Sequence, residues 1–160
     1  MAVTIQNSSQ YAKASAVPPT LNAVTDWHGR VRKYFFDFTQ SAAGDAGSLV
    51  YAVKIPAGKI RLYLPASRIY FSAMGTARTL DIGWLAYNTP DGTVVAADPN
   101  GLDDNVDVSS AGSVNPGGTI GTHETKLFDS REGVTLTLQV NDGTLPDAAT
   151  FSGYFELVDD

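Results

Sequence analysis

Three features of the sequence predict an all-β fold, an antiparallel β-sandwich or jelly roll. Apolar and polar residues alternate with a period of two in run after run. Gly- and Pro-bearing breaks separate the runs, and no segment sustains a helical period. A chain of 160 residues is long enough to bury a core without staples, and one domain is the expectation.

The runs follow in order. In VRKYFFDFTQ, Tyr34, Phe36 and Phe38 point one way and Lys33, Asp37 and Thr39 the other. In SLVYAVKI the inward set is Leu49, Tyr51, Val53 and Ile55. Pro56 and Gly58 then supply a tight turn. In KIRLYL, Ile60, Leu62 and Leu64 face inward, with Lys59 and Arg61 outward. Pro65 is expected to end that strand, because proline cannot donate to a central ladder. The next strand, SRIYFSA, turns Ile69 and Phe71 inward, and RTLDIGWLAY turns Leu80, Ile82 and Trp84 inward. Pro90–Gly92 and Asn141–Gly143 read as hairpin turns, since glycine tolerates positive φ. VTLTLQV offers Val134, Leu136, Leu138 and Val140, and FSGYFELV offers Phe151, Phe155 and Leu157. The shared phase predicts one core containing Phe36, Leu62, Ile82, Trp84, Leu136 and Phe155. At least seven strands fit a sandwich or jelly roll, with a closed barrel as the alternative.

Two regions break the alternation. Residues 1–30 contain Pro18 and Pro19 and read as an extended N-terminal arm, leaving residues 31–160 as the sandwich domain. Fully extended, thirty residues reach on the order of 100 Å. From Asp98 to about Gly121 the chain is rich in Gly, Asp, Asn and Ser and reads as a long acidic loop. Loops of that length are usually functional or lie at an interface.

Composition excludes several classes of function. There is no cysteine, so no disulfide framework, cysteine-zinc site or thiol nucleophile exists. The first residues lack a basic start and an apolar run, so no signal peptide is expected. No apolar run approaches a membrane span, and a soluble protein made in the cytoplasm is the expectation. Net charge is −6 but uneven. Residues 1–90 hold nine Lys/Arg against four Asp/Glu, and residues 91–160 hold two against thirteen. Such polarity orients subunits or steers docking, and its acidic half repels nucleic acid.

No catalytic constellation emerges. The two histidines, His28 and His123, have no metal-binding spacing. No G-x-S-x-G elbow, P-loop or G-x-G-x-x-G occurs, and His123 beside Glu124 reads as a polar loop. Asp98, Asn100, Asp103, Asp104 and Asp107 resemble a calcium loop in composition. Counted from Asp98, however, Gly101 falls at position 4 and Ser109 at position 12, where an EF-hand needs glycine at 6 and glutamate at 12. These side chains are expected to cap turns instead. No enzyme, metal or cofactor is expected. The aromatics Trp27, Tyr63, Tyr70, Trp84, Tyr87 and Tyr154 raise a second reading, a carbohydrate-binding or host-contact module. Trp84, though, lies on an inward set, and outward tyrosines equally suit a subunit interface.

Five pieces stand out between residues 50 and 158: RTLDIG (Arg78–Gly83), Ala86–Gly92, ADPNGL (Ala97–Leu102), DVSSAG (Asp107–Gly112) and Phe128–Val134. Through them the sequence resembles a family of small tailed-bacteriophage virion proteins encoded near the major capsid protein. The resemblance implies a structural component of the phage head, a capsid decoration or cement protein with no catalytic motif. Its partners would be the major capsid protein, other virion proteins and copies of itself. A trimer is the expected oligomer, from the trigonal sites of icosahedral shells. The basic residues where the arm meets the first strand, Arg30, Arg32 and Lys33, are the candidate interface.

Overall fold

The structure, a computed structural model, describes residues 31–121 and 125–159. The arm, with Trp27, His28 and Arg30, and the pair His123–Glu124 lie outside the described residues. The strands are β1 (Val31–Thr39), β2 (Ser48–Ile55), β3 (Gly58–Phe71), β4 (Thr79–Trp84), β5 (Tyr87–Asn88), β6 (Val94–Val95), β7 (Asp98–Asp107), β8 (Gly112–Val114), β9 (Thr125–Ser130), β10 (Val134–Asn141) and β11 (Thr150–Asp159).

Their pairing is nested. β1 pairs with β11, β2 with β10, β3 with both β8 and β9, and β4 with β7, all antiparallel. Two further pairings, β11 with β3 and β10 with β4, join these hairpins into sheets. One sheet runs β1-β11-β3 with β8 and β9 along the far side of β3; the other runs β2-β10-β4-β7. β5 and β6 form a separate small hairpin around the expected Pro90–Gly92 turn. An antiparallel chain that pairs first strand with last and works inward is a jelly roll, and two separate sheets rule out the closed barrel.

The predicted core is present. Leu62, Ile82, Leu136 and Phe155 are fully buried, and Phe36 and Trp84 nearly so. Phe36 stacks on Phe155 at 5.7 Å, and Trp84 meets Phe128 edge-on at 5.5 Å. Such pairs add to area burial through the ring quadrupoles.

Four expectations need correction. Leu49 and Tyr51 are exposed, not inward, because β2 carries a bulge. Leu136 pairs with Val53 and Thr137 with Tyr51, which leaves Ala52 as the extra residue and reverses the phase. Val50 takes the core position instead.

Pro65 does not end a strand, for β3 runs through it. On one side the register against β11 jumps between Tyr154 and Glu156. On the other, Pro65 falls in the gap between the β9 and β8 pairings, so no partner requires its missing N–H. Ser67 pins this bulge: its hydroxyl donates to the Tyr63 carbonyl (2.6 Å) and accepts the Glu156 N–H (3.0 Å). Asn115 closes the other side, donating to the Pro65 and Ser67 carbonyls at 3.0 and 2.7 Å.

Asn141–Gly143 turns the chain, with Asp142 at φ 59°, but the strands it separates, β10 and β11, lie in different sheets and make no hairpin. Finally, the expected acidic loop contains two strands, β7 and β8. β7 is irregular, with two register shifts against β4 and Asn105 at φ 57°, so period-2 reading cannot detect it.

β7 approaches β4 closely at Gly83. A Cβ there would strike the Asp98 carbonyl oxygen and lie 2.6 Å from that of Pro99. Because both obstacles are backbone, Gly83→Ala is expected to lower stability by about 2–3 kcal/mol, the usual scale of overpacking. A urea titration with an unchanged m-value checks this.

Candidate interaction surfaces

The outer face of the β1-β11-β3 sheet is built by the phase opposite to the core. Strand register places Phe35, Tyr154 and Arg68 side by side, with Ser152 and Tyr70 in the next row. Phe35 is 73% exposed and Tyr70 47%, unusual for large side chains on a sheet surface. Phe35 packs on Tyr154 at 5.6 Å, and the Lys33 ammonium sits 4.4 Å from the Tyr154 ring. Arg68 is held flat. Its guanidinium donates to Asn115 Oδ1 (2.7 Å) and Ser113 Oγ (2.9 Å) and lies 5.9 Å from the Tyr70 ring. Its partners are neutral, so its charge is available to an incoming carboxylate.

The second surface is the acidic edge strand β7. Its Asp104 and Asp107 are exposed. Asp107 accepts the Ser109 N–H at 2.8 Å, the expected Asx-turn, which holds its carboxyl below its ordinary value. Asp91 caps the β5–β6 turn in the same way, through Thr89 and Thr93. Asp103 is the exception among the acids, being buried. Burial raises its pKa, opposed by hydrogen bonds from the backbone N–H groups of Gly118, Asp104 and Gly117. Asn100 donates to Asp104 at 3.2 Å. Among the described residues no three His, Cys, Asp or Glu side chains gather to hold a metal ion.

Asp81, on neighbouring β4, is buried too. Desolvation raises its pKa above the ordinary 3.8, and bonds from the Asn105 N–H (3.0 Å) and Asn141 (2.6 Å) pull the other way. A group whose folded pKa is raised stabilises the fold below its unfolded value and loses that contribution as pH rises through the folded one. The melting temperature of the wild type minus that of Asp81→Asn is therefore expected to fall as pH rises above the ordinary 3.8.

Charge is thus divided between the layers. The β1-β11-β3 sheet with β8 and β9 carries six Lys/Arg and four Asp/Glu; the β2-β10-β4-β7 sheet carries one and five. Three ion pairs are seen among the described residues, and all lie in the first sheet: Arg32–Asp159 (3.4 Å), Lys33–Glu156 (3.7 Å) and Lys59–Asp129 (4.0 Å). Of the three basic residues expected at an interface, Arg30 is outside the described residues. Arg32 and Lys33 are already shared with β11 carboxylates. The structure does not gather Trp84 and Tyr87 with the outward tyrosines: Trp84 is in the core, and Tyr87 packs on Phe128 at 5.9 Å. Sequence reading passed over Phe35 and Arg68 as surface residues, although the strand phase already turned Phe35 outward. Nothing local marks Arg68, which lies beyond the β3 bulge.

The fold defines a jelly-roll sandwich with one aromatic and basic face and one acidic edge. No family model and no curated protein matches the chain. Solved structures do. A chain of the cyanophage Pam1 capsid asymmetric unit is 13% identical with a TM-score of 0.56, covering 99% of this chain and 100% of that one. A chain of the capsid of Ralstonia phage GP4 is 18% identical with a TM-score of 0.58, covering 93% of this chain and 96% of that one. At these identities the likeness is one of fold.

Proposed function

We propose that this chain is a structural component of a bacteriophage virion, a decoration or cement protein that binds the head shell and copies of itself. One observation carries the reading: the fold matches, over nearly the full length of both partners, a chain from each of two phage capsid structures. The agreement spans 99% and 93% of this chain, so it covers the whole jelly roll and not one sheet of it. The virion-family resemblance over residues 50–158 supports it independently.

Residues 1–30 act as the arm that ties the domain to the shell, with Arg30, Arg32 and Lys33 at its root meeting acidic shell residues. Three copies meet at a trigonal site of the shell, and no catalysis is involved. Mass spectrometry of purified particles should find the chain at a fixed stoichiometry to the major capsid protein, and electron microscopy should find its density on the head. Deletion of residues 1–26 should leave the sandwich folded and weaken shell binding, and raised salt should weaken the charge-dependent part. Wild-type occupancy by the truncated protein would refute the arm's role. Density confined to a fibre tip, with binding on a glycan array, would instead support a host-contact module.

A further inference from the structure

We propose that copies of this chain join head to tail, the aromatic and basic sheet face of one copy seated on the β7 edge of the next. This rests on the reading above that copies touch one another, and it names the surfaces. Two independent features lead to it. The face exposes the large aromatic side chains of Phe35 and Tyr70 beside the half-buried Tyr154, as protein interfaces do. It also presents Arg68, whose hydrogen-bond partners are all neutral. The β7 edge presents Asp104 and Asp107, and none of the ion pairs among the described residues involves β7. Each surface carries the charge the other lacks.

The two patches occupy different sides of the sandwich. β1 and β2, the edge strands of their sheets, touch each other, so the opposite edges, β7 and β8–β9, lie on the far flank. Joining unlike patches gives a heterologous contact, which closes into a ring where the rotation permits. Strand spacing of ~4.8 Å and a rise of ~3.3 Å per residue give the sheet face a footprint of roughly 550 Å². That is below the ~800 Å² per partner of a standard interface, so the contact is weak and concentration-dependent in solution. On a shell the neighbouring copies are held together, and the same contact is then reinforced by tethering.

The test is sedimentation velocity of the full chain over a range of concentrations up to about 1 mM, at low and high salt. Arg68→Glu and the pair Asp104→Lys, Asp107→Lys should each weaken self-association at least tenfold. Phe35→Ser, at a position too exposed to affect folding, should do the same. Mixing the Arg68→Glu protein with the doubly substituted β7 protein should restore growth beyond a dimer, because the intact pair of patches and the charge-exchanged pair are both complementary. Combining Arg68→Glu with Asp104→Lys in one chain should restore association. A wild type that stays monomeric throughout the range, or variants that associate as the wild type does, would overturn the head-to-tail contact. Co-sedimentation of the same proteins with shells assembled without this chain separates the two readings. A monomer that still binds shells leaves the virion role standing, whereas self-association without shell binding removes that role and keeps the contact.

Discussion

Replacing Phe155 by alanine is expected to cost about 4 kcal/mol. Phe155 is fully buried at the centre of β11, between β1 and β3, and its ring stacks on Phe36. Truncation removes the apolar area, the ring pair and the packing that holds three strands in register, and leaves a cavity that rigid neighbouring strands cannot fill. At roughly 4 °C per kcal/mol for a domain of this size, the melting temperature should fall by about 15 °C. Phe155→Leu keeps most of the volume and should cost only about 1–1.5 kcal/mol. Equal losses for the two variants, in calorimetry, would show that ring volume is not what β11 requires.

Asp103→Ala should cost about 3 kcal/mol despite removing a buried, desolvated carboxyl. The carboxyl accepts from the N–H groups of Gly118, Asp104 and Gly117, and so ties β7 to the turn that follows β8. Its removal leaves the buried Gly117 N–H without its acceptor, at about 1–3 kcal/mol, and strips the more exposed Gly118 and Asp104 N–H groups of theirs, offset in part by relief of the desolvated charge. Gly118 lies so close that a Cβ there would strike the Asp103 carboxylate, so Gly118→Ala should reproduce part of the loss. Hydrogen exchange distinguishes a local effect from a global one: protection should fall first at Gly117 and Gly118. Unchanged protection there in the alanine variant would refute the role given to this carboxylate.

Legibility in the sequence followed regularity. β10, β11 and the two halves of β3 on either side of its bulge keep enough alternation that most of their core residues follow from the strand period. Bulges set the limit. Ala52 reversed the phase of β2 at a position that no local residue marks, since the bulge is defined by the partner strand and not by its own sequence. β7 escaped because its pairing with β4 depends on a glycine in the partner, Gly83, and on a buried aspartate, neither of which has a period. The aromatic face was legible by phase but not as a surface. Phe35, Tyr154 and Arg68 become neighbours only through the register of three strands far apart in the chain. The charge polarity seen along the sequence survives as a division between the sheets. Strands from both halves of the chain interleave in each sheet, which makes the contrast smaller than the linear count suggests.

The nested pairing has a consequence for how the protein is made. β11, near the end of the chain, lies between β1 and β3, so neither of those strands has its full set of partners until the ribosome has translated about residue 159. A topology ruled by such distant contacts folds slowly, in milliseconds to seconds. Until then the apolar flanks of β1 and β3 stand open, on the timescale in which nascent chains meet chaperones or aggregate. A chain cut before Thr150 would therefore lack the strand that joins β1 to β3, and is expected to aggregate rather than fold into a weakened protein.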